Sequence, residues 1–143
     1  MSSAKVQFHW LDQSFSLRDR NRLKLFIQSL FRREKKSLES LNYIFCTDKY
    51  LLNINQQFLK HDFYTDIISF DLSVGPATIG EIYISIDRVR DNATRLGTPL
   101  TEELHRVIFH GALHLCGYKD KSKADQILMR RKEDQALALY FGK

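Results

Sequence analysis

The sequence predicts an α+β fold: a single domain in which a mixed four-stranded sheet packs against about five helices. Three observations predict it. Apolar residues recur with period two or with helical period in the order β-α-β-α-β-β-α-α-α, neither strict βαβ alternation nor an all-helical run. The Gly75-Pro76 pair turns the chain between the two strands that are consecutive in that order. With 143 residues, 43% hydrophobic, and no internal repeat, low-complexity tract or linker, the chain reads as one domain with one core over residues 1–143.

Each element has a local reason. Val6, Phe8 and Trp10 alternate with Gln7 and His9, the pattern of a strand with one buried face. Ser16 is placed to cap a helix whose Leu23, Phe26, Ile27, Leu30 and Phe31 recur at helical spacing. The rest of that segment is basic: Arg18, Arg20, Arg22, Lys24, Arg32, Arg33, Lys35 and Lys36. Leu41 to Cys46 reads as a second strand, and Asp48 as the cap of a helix through Leu59. Ile67 to Leu72 and Ile79 to Ile86 flank the Gly75-Pro76 turn as strands three and four. Asp87 opens a helix that Gly97 stops. Thr98-Pro99 reads as a capping residue with proline in the first helical position. The helix that follows runs to about Cys116, stops at Gly117, and is apolar over most of its surface, which places it deep in the core. Ser122, with Asp125 three residues on, opens a last helix to Tyr140.

Composition excludes several classes. Six glycines and two prolines exclude a collagenous chain, and ten Phe, six Tyr and one Trp supply too much apolar surface for disorder. No run of about 18 apolar residues exists to span a bilayer, and residues 1–13 lack the apolar stretch of a secretory signal. The expectation is a cytoplasmic chain with no membrane partner, in which Cys46 and Cys116 stay reduced. A net charge of +5 leans toward polyanions.

The chemistry concentrates in residues 110–120. His110 and His114, four apart on a helix, lie one turn apart on one face, so two imidazoles can converge on one ion. Gly117 supplies a left-handed stop where the chain turns back, and Asp120 follows three residues later, able to swing its carboxylate toward the pair. The spacing H-x-x-x-H-x-x-G-x-x-D parallels an elongated zinc-protease signature that ends in histidine. Three protein ligands with a fourth position open are the mark of a catalytic Zn2+ site, with the metal-bound water as its reactive group. Cys116 and His105 are offset by about 200° and 140° from the neighbouring histidine; His61, in a distant loop, stays open as a third ligand. Gly111 stands where the protease base would be a glutamate, which disfavours peptide hydrolysis. Phosphodiester cleavage depends less on such a base, and Lys119, Lys121 and Lys123 lie beside Asp120 as candidate phosphate contacts.

HGALHLCGYKD at 110–120 resembles the H-G-x-L-H-L-x-G-Y signature of the YbeY family of bacterial metal-dependent endoribonucleases. Ile54-Asn55 through Tyr64-Thr65-Asp66-Ile67-Ile68-Ser69-Phe70 is similar to that family's L-N-x-x-Y-R and P-T-D-V-L-S-F segments, and Ile79-Gly80-Glu81-Ile82-Tyr83-Ile84-Ser85 to its L-G-D-I-x-I-S strand. The resemblance implies one zinc ion and cleavage of single-stranded RNA, linked to maturation of the 3′ end of small-subunit rRNA and to ribosome quality control. It carries His110 and His114 over as ligands. Asp120 stands where the family usually has a third histidine, and Leu59 where it has an arginine, with Lys60 next to it as a point charge. The sequence thus points to a zinc-dependent endoribonuclease acting on rRNA precursors. Two alternatives are a ribosome-associated RNA-binding factor with a structural metal and a metal-dependent hydrolase of another substrate.

Overall fold

The computed structural model describes residues 5–11, 15–61 and 64–142. They form β1 (Lys5–Trp10), α1 (Arg20–Arg33), β2 (Leu38–Cys46), α2 (Asp48–Leu59), β3 (Ile67–Asp71), β4 (Thr78–Ser85), α3 (Ile86–Leu96), α4 (Leu100–Leu115) and α5 (Lys123–Phe141). The sheet order is β1-β2-β4-β3. β1, β2 and β4 run parallel, and β3 closes one edge antiparallel to β4, so the sheet is mixed as expected.

Alternation sorts the faces. Leu41, Tyr43 and Phe45 of β2 and Ile82 and Ile84 of β4 are fully buried on one face, under Leu23, Ile27 and Phe31 of α1 and the apolar side of α4. The other face carries a smaller cluster in which Leu51 and Ile54 of α2 cover Cys46 and Ile68. Tyr43 ties sheet to helix, its hydroxyl donating to the Ile108 carbonyl at 2.9 Å. Cys46 and Cys116 are buried thiols. Among the described residues no helix is long and apolar enough to cross a membrane.

The helix starts depart from expectation in instructive ways. α1 begins at Arg20, not near Ser16, because Leu17 is drawn into the core and the chain turns only at Asp19, in a left-handed conformation with no side-chain cap. Thr47, not Asp48, caps α2. The Asp48 carboxylate is taken by Arg88, 2.6 Å away, and by the Ser85 hydroxyl. Ser85, not Asp87, caps α3, and Asp87 instead accepts the Asp48 backbone N–H. α4 starts one residue late, with Pro99 itself at the cap and the Thr98 hydroxyl buried without a hydrogen-bond partner. Ser122 caps α5 as expected, accepting the Asp125 N–H at 3.0 Å.

Candidate metal centre

α4 carries both histidines and lies flat on the sheet. A Cβ on Gly111 would come within 2.8 Å of the Ile82 side chain and 3.0 Å of that of Ile67, so any larger residue requires those side chains to shift or the helix to lift from β3 and β4. That contact sets the depth of His110, one residue before it. The rings of His110 and His114 stand 5.8 Å apart, one turn along the same wall.

Each ring has its Nδ1 already occupied. His110 Nδ1 donates to Glu133 Oε2 at 2.7 Å, from a carboxylate that α5 presents buried against α4. His114 Nδ1 donates to the Tyr118 carbonyl at 2.7 Å, across the turn made at Gly117, where φ is 109°. A carbonyl and an ionised carboxylate can only accept, so the proton sits on Nδ1 and the Nε2 lone pair is left for a ligand role. His110 Nε2 faces Asp120 Oδ2 at 3.2 Å. Two atoms bound to one tetrahedral zinc at about 2.0–2.2 Å stand about 3.3–3.5 Å apart, so this pair is spaced almost as co-ligands are. Among the described residues no three His, Cys, Asp or Glu side chains form a group that could hold a metal ion as they stand. His114 shares the cleft with His110 and Asp120 without closing on them.

The cleft holds about 470 Å³ between the end of α2, the edge strand β3, and α4 and α5. Asp66 and Glu103 also line it, and burial pushes both carboxyls up from their ordinary values, with their mutual charge adding to the rise at Glu103. For His110, burial pulls the pKa down, but the Glu133 hydrogen bond and the charges of Glu133, Asp120 and Asp66 outweigh it and the net shift is upward.

Of the competing ligands, His105 is buried on the far side of α4, its Nδ1 bonded to the Thr101 carbonyl at 2.7 Å and its ring on Tyr140. Cys116 is buried at the end of α4, and His61 does line the cleft. Lys60 ends α2 in a left-handed conformation, exposed; Lys119 and Lys121 are exposed on the turn into α5, and Lys123 is exposed at its first residue. The cleft lining draws its cations from elsewhere, from Arg106 and Arg130. Sequence reasoning missed both, and Glu133. The signals were there: Arg106 lies four residues before His110 on its helix face, and Glu133 sits in the buried stripe formed by Met129, Ala136 and Leu137.

Comparison with known proteins finds relatives along nearly the whole chain. The family model described as endoribonuclease YbeY matches residues 9–140. An endoribonuclease YbeY of Flavobacterium psychrophilum is 54% identical over 129 residues, covering 90% of this chain and 92% of its own. That of Cytophaga hutchinsonii is 47% identical over 140 residues, covering 97% and 98%. A Thermotoga maritima protein solved in solution superposes with a TM-score of 0.61 over 96% of this chain and 89% of its own, at 24% identity, and shares the fold.

Proposed function

The chain belongs to the endoribonuclease YbeY family, and from that premise we propose that it is a zinc-dependent endoribonuclease cutting single-stranded RNA. The substrate is precursor rRNA, at the 3′ end of the small-subunit species, and the working place is the cytoplasm, in association with the ribosome or its small subunit. His110, His114 and Asp120 would hold the ion. Bound there, zinc would supply Lewis-acid polarisation and neutralise charge gathering on a phosphodiester.

The observation that carries the reading is the arrangement of nitrogens: both Nδ1 atoms are occupied by acceptors, and His110 Nε2 already faces the Asp120 carboxylate. The chain's own groups do the rest. Glu133 orients His110, the Tyr118 carbonyl orients His114, and Asp120 arrives on a turn that Gly117 permits. Leu59 lines the cleft where the family resemblance calls for an arginine, and guanidinium groups reach the same cleft from Arg106 and Arg130. Arg106 is held by Glu133 at 3.1 Å and Asp134 at 2.8 Å, which leaves the more exposed Arg130 as the readier contact for a phosphate. Lys60, Lys119, Lys121 and Lys123 would meet RNA outside the cleft.

Bound metal and RNA cleavage, measured for the wild type and His114→Ala, test the proposal. The variant loses both; unchanged metal content in His114→Ala refutes the ligand assignment. Tight RNA binding without turnover by the zinc-loaded wild type would make the protein a binding factor with a structural metal, and hydrolysis of peptides or esters in place of RNA would make it a hydrolase of another class.

A further inference from the structure

We propose that the C-terminal end of α1 is a phosphate track for the substrate, with Arg32, Arg33, Lys35 and Lys36 holding single-stranded RNA that leaves the cleft across the Gly117–Asp120 turn. The inference rests on RNA being the substrate. Charge is the first argument. Residues 18–36 contain eight of the 22 Lys and Arg but two of the 17 Asp and Glu, so this segment carries +6 and the remainder of the chain −1. The protein's whole positive excess lies in this one segment of the chain.

The two ends of that segment differ. At the N-terminal end the cations serve the fold: Arg22 lies 4.0 Å over the Tyr140 ring and donates to the Tyr140 carbonyl, Arg20 lies 4.8 Å over Trp10, and Lys24 faces Phe8. At the C-terminal end Arg33 lies 5.3 Å over the Phe26 ring, but Arg32, Arg33, Lys35 and Lys36 are all exposed, and among the described residues none of the four enters an ion pair. The helix dipole accounts for cations in the last turn, Arg32 and Arg33. Lys35 and Lys36 lie past the C-cap Glu34, Lys35 with φ at 58°, and carry the positive charge beyond the helix end.

Continuity with the cleft is the second argument, and Tyr118 supplies it. Its carbonyl accepts from His114 Nδ1, and its hydroxyl donates to Glu34 Oε1 at 2.7 Å. One residue therefore spans from a candidate ligand to the end of α1. Lys132 closes the same clasp, 3.4 Å from Glu34 Oε2 and over the Tyr118 ring, so the lone acid at this end is neutralised. Arg33, Glu34 and Lys132 border a shallow groove of about 180 Å³ between α1 and α5. Lys119 and Lys121 are exposed on the turn between that groove and the cleft. A polyanion leaving the cleft meets cations along the whole way.

The test compares binding and cleavage of single strands of about 4 and about 16 nucleotides, the limits of a typical single-strand footprint. The zinc-loaded wild type is set against a triple variant, Arg32→Gln, Lys35→Gln and Lys36→Gln, and a control carrying Arg18→Gln, Arg20→Gln and Lys24→Gln. The control removes equal charge at the other end of a 14-residue helix, about 20 Å away. Each lost phosphate contact on a single strand removes about 0.7 from the slope of log affinity against log salt, so the triple variant lowers that slope by about 2 for the long RNA. It leaves the short RNA and the saturated cleavage rate as in the wild type, and the control keeps the wild-type slope. Equal slopes in the triple variant and wild type overturn the track, as do equal losses in the control or equal losses on both lengths. Loss of binding to phosphatidylserine vesicles with RNA binding intact would assign the patch to a membrane and overturn it too. A wild type that cleaves neither RNA refutes the proposed function itself, whatever the slopes are.

Discussion

Replacing Glu133 by glutamine removes one charge and one acceptor from a buried position, and the structure says where the loss falls. The carboxylate accepts from His110 Nδ1 at 2.7 Å with one oxygen and from Arg106 at 3.1 Å with the other, and its side chain is 8% exposed. An amide has one oxygen to offer. If that oxygen meets Arg106, the NH2 faces His110 Nδ1, which must then give up its proton to Nε2 and lose the lone pair a metal needs. If it meets His110, the NH2 is pressed against a guanidinium. Either way one charge-assisted hydrogen bond is lost, a cost of about 1.5–3 kcal/mol, which for a chain of this size lowers Tm by about 5–10 °C. Loss of the group that orients a ligand histidine also weakens metal binding by about 10–100-fold. Competition against a chromophoric zinc chelator measures the second effect, and thermal unfolding in excess chelator measures the first. Asp134→Asn is the control, since Asp134 is the exposed partner of Arg106 and touches neither histidine; it changes zinc affinity little. A Glu133→Gln protein that melts early yet binds zinc as the wild type does would refute the orienting role and leave Glu133 as a clasp between α4 and α5.

Three further outcomes follow from the same geometry. Burial holds the His105 imidazole below its ordinary value, with Arg22 adding to the fall and the Thr101 carbonyl opposing it. The folded state therefore favours the neutral ring, and the stability this gives is present above about pH 6.5 and is lost as pH falls through the lower folded value. In His105→Phe, stability followed by urea unfolding declines less between about pH 7 and 5 than in the wild type. Arg130→Gln raises KM for RNA about 2–5-fold, the range of one exposed ion pair, with kcat unchanged in steady-state cleavage. Tyr43→Phe removes the buried hydrogen bond to Ile108 and costs about 1 kcal/mol, or about 3–4 °C in Tm by calorimetry, without altering zinc affinity.

The fold was legible because its information is local and periodic. Leu41, Tyr43 and Phe45 alternate with polar or half-exposed neighbours, and that alone places β2 with one buried face. β2 nevertheless starts at Leu38, ahead of the apolar run, because Leu38 pairs with Thr78 of β4 and Ser40 pairs with both β1 and β4, with Glu39 bulged between them. Helix caps were less legible for a related reason. Thr47 and Asp48 are both competent caps, and what decides between them is Arg88, 40 residues away, which claims the aspartate. A propensity that two adjacent residues share is settled by whichever has a stronger partner in space.

The same division runs through the site. The ligand spacing of His110, His114 and Asp120 is written along one helix and its stop, so sequence alone finds it. What orients those ligands comes from elsewhere: Glu133 lies on a different helix, 23 residues from His110. The lysines beside Asp120 drew attention by proximity in the chain, yet in space the turn carries them outward, while Arg106, four residues before His110, and Arg130, on the helix that brings Glu133, line the cleft. A carboxylate in an apolar stripe is the clue that generalises. Burying Glu133 against α4 would be costly without the His110 and Arg106 donors it meets there. A sequence that keeps an acid at such a position thereby announces donors across the interface, and on a helix packed against paired histidines a ring N–H is the donor within reach.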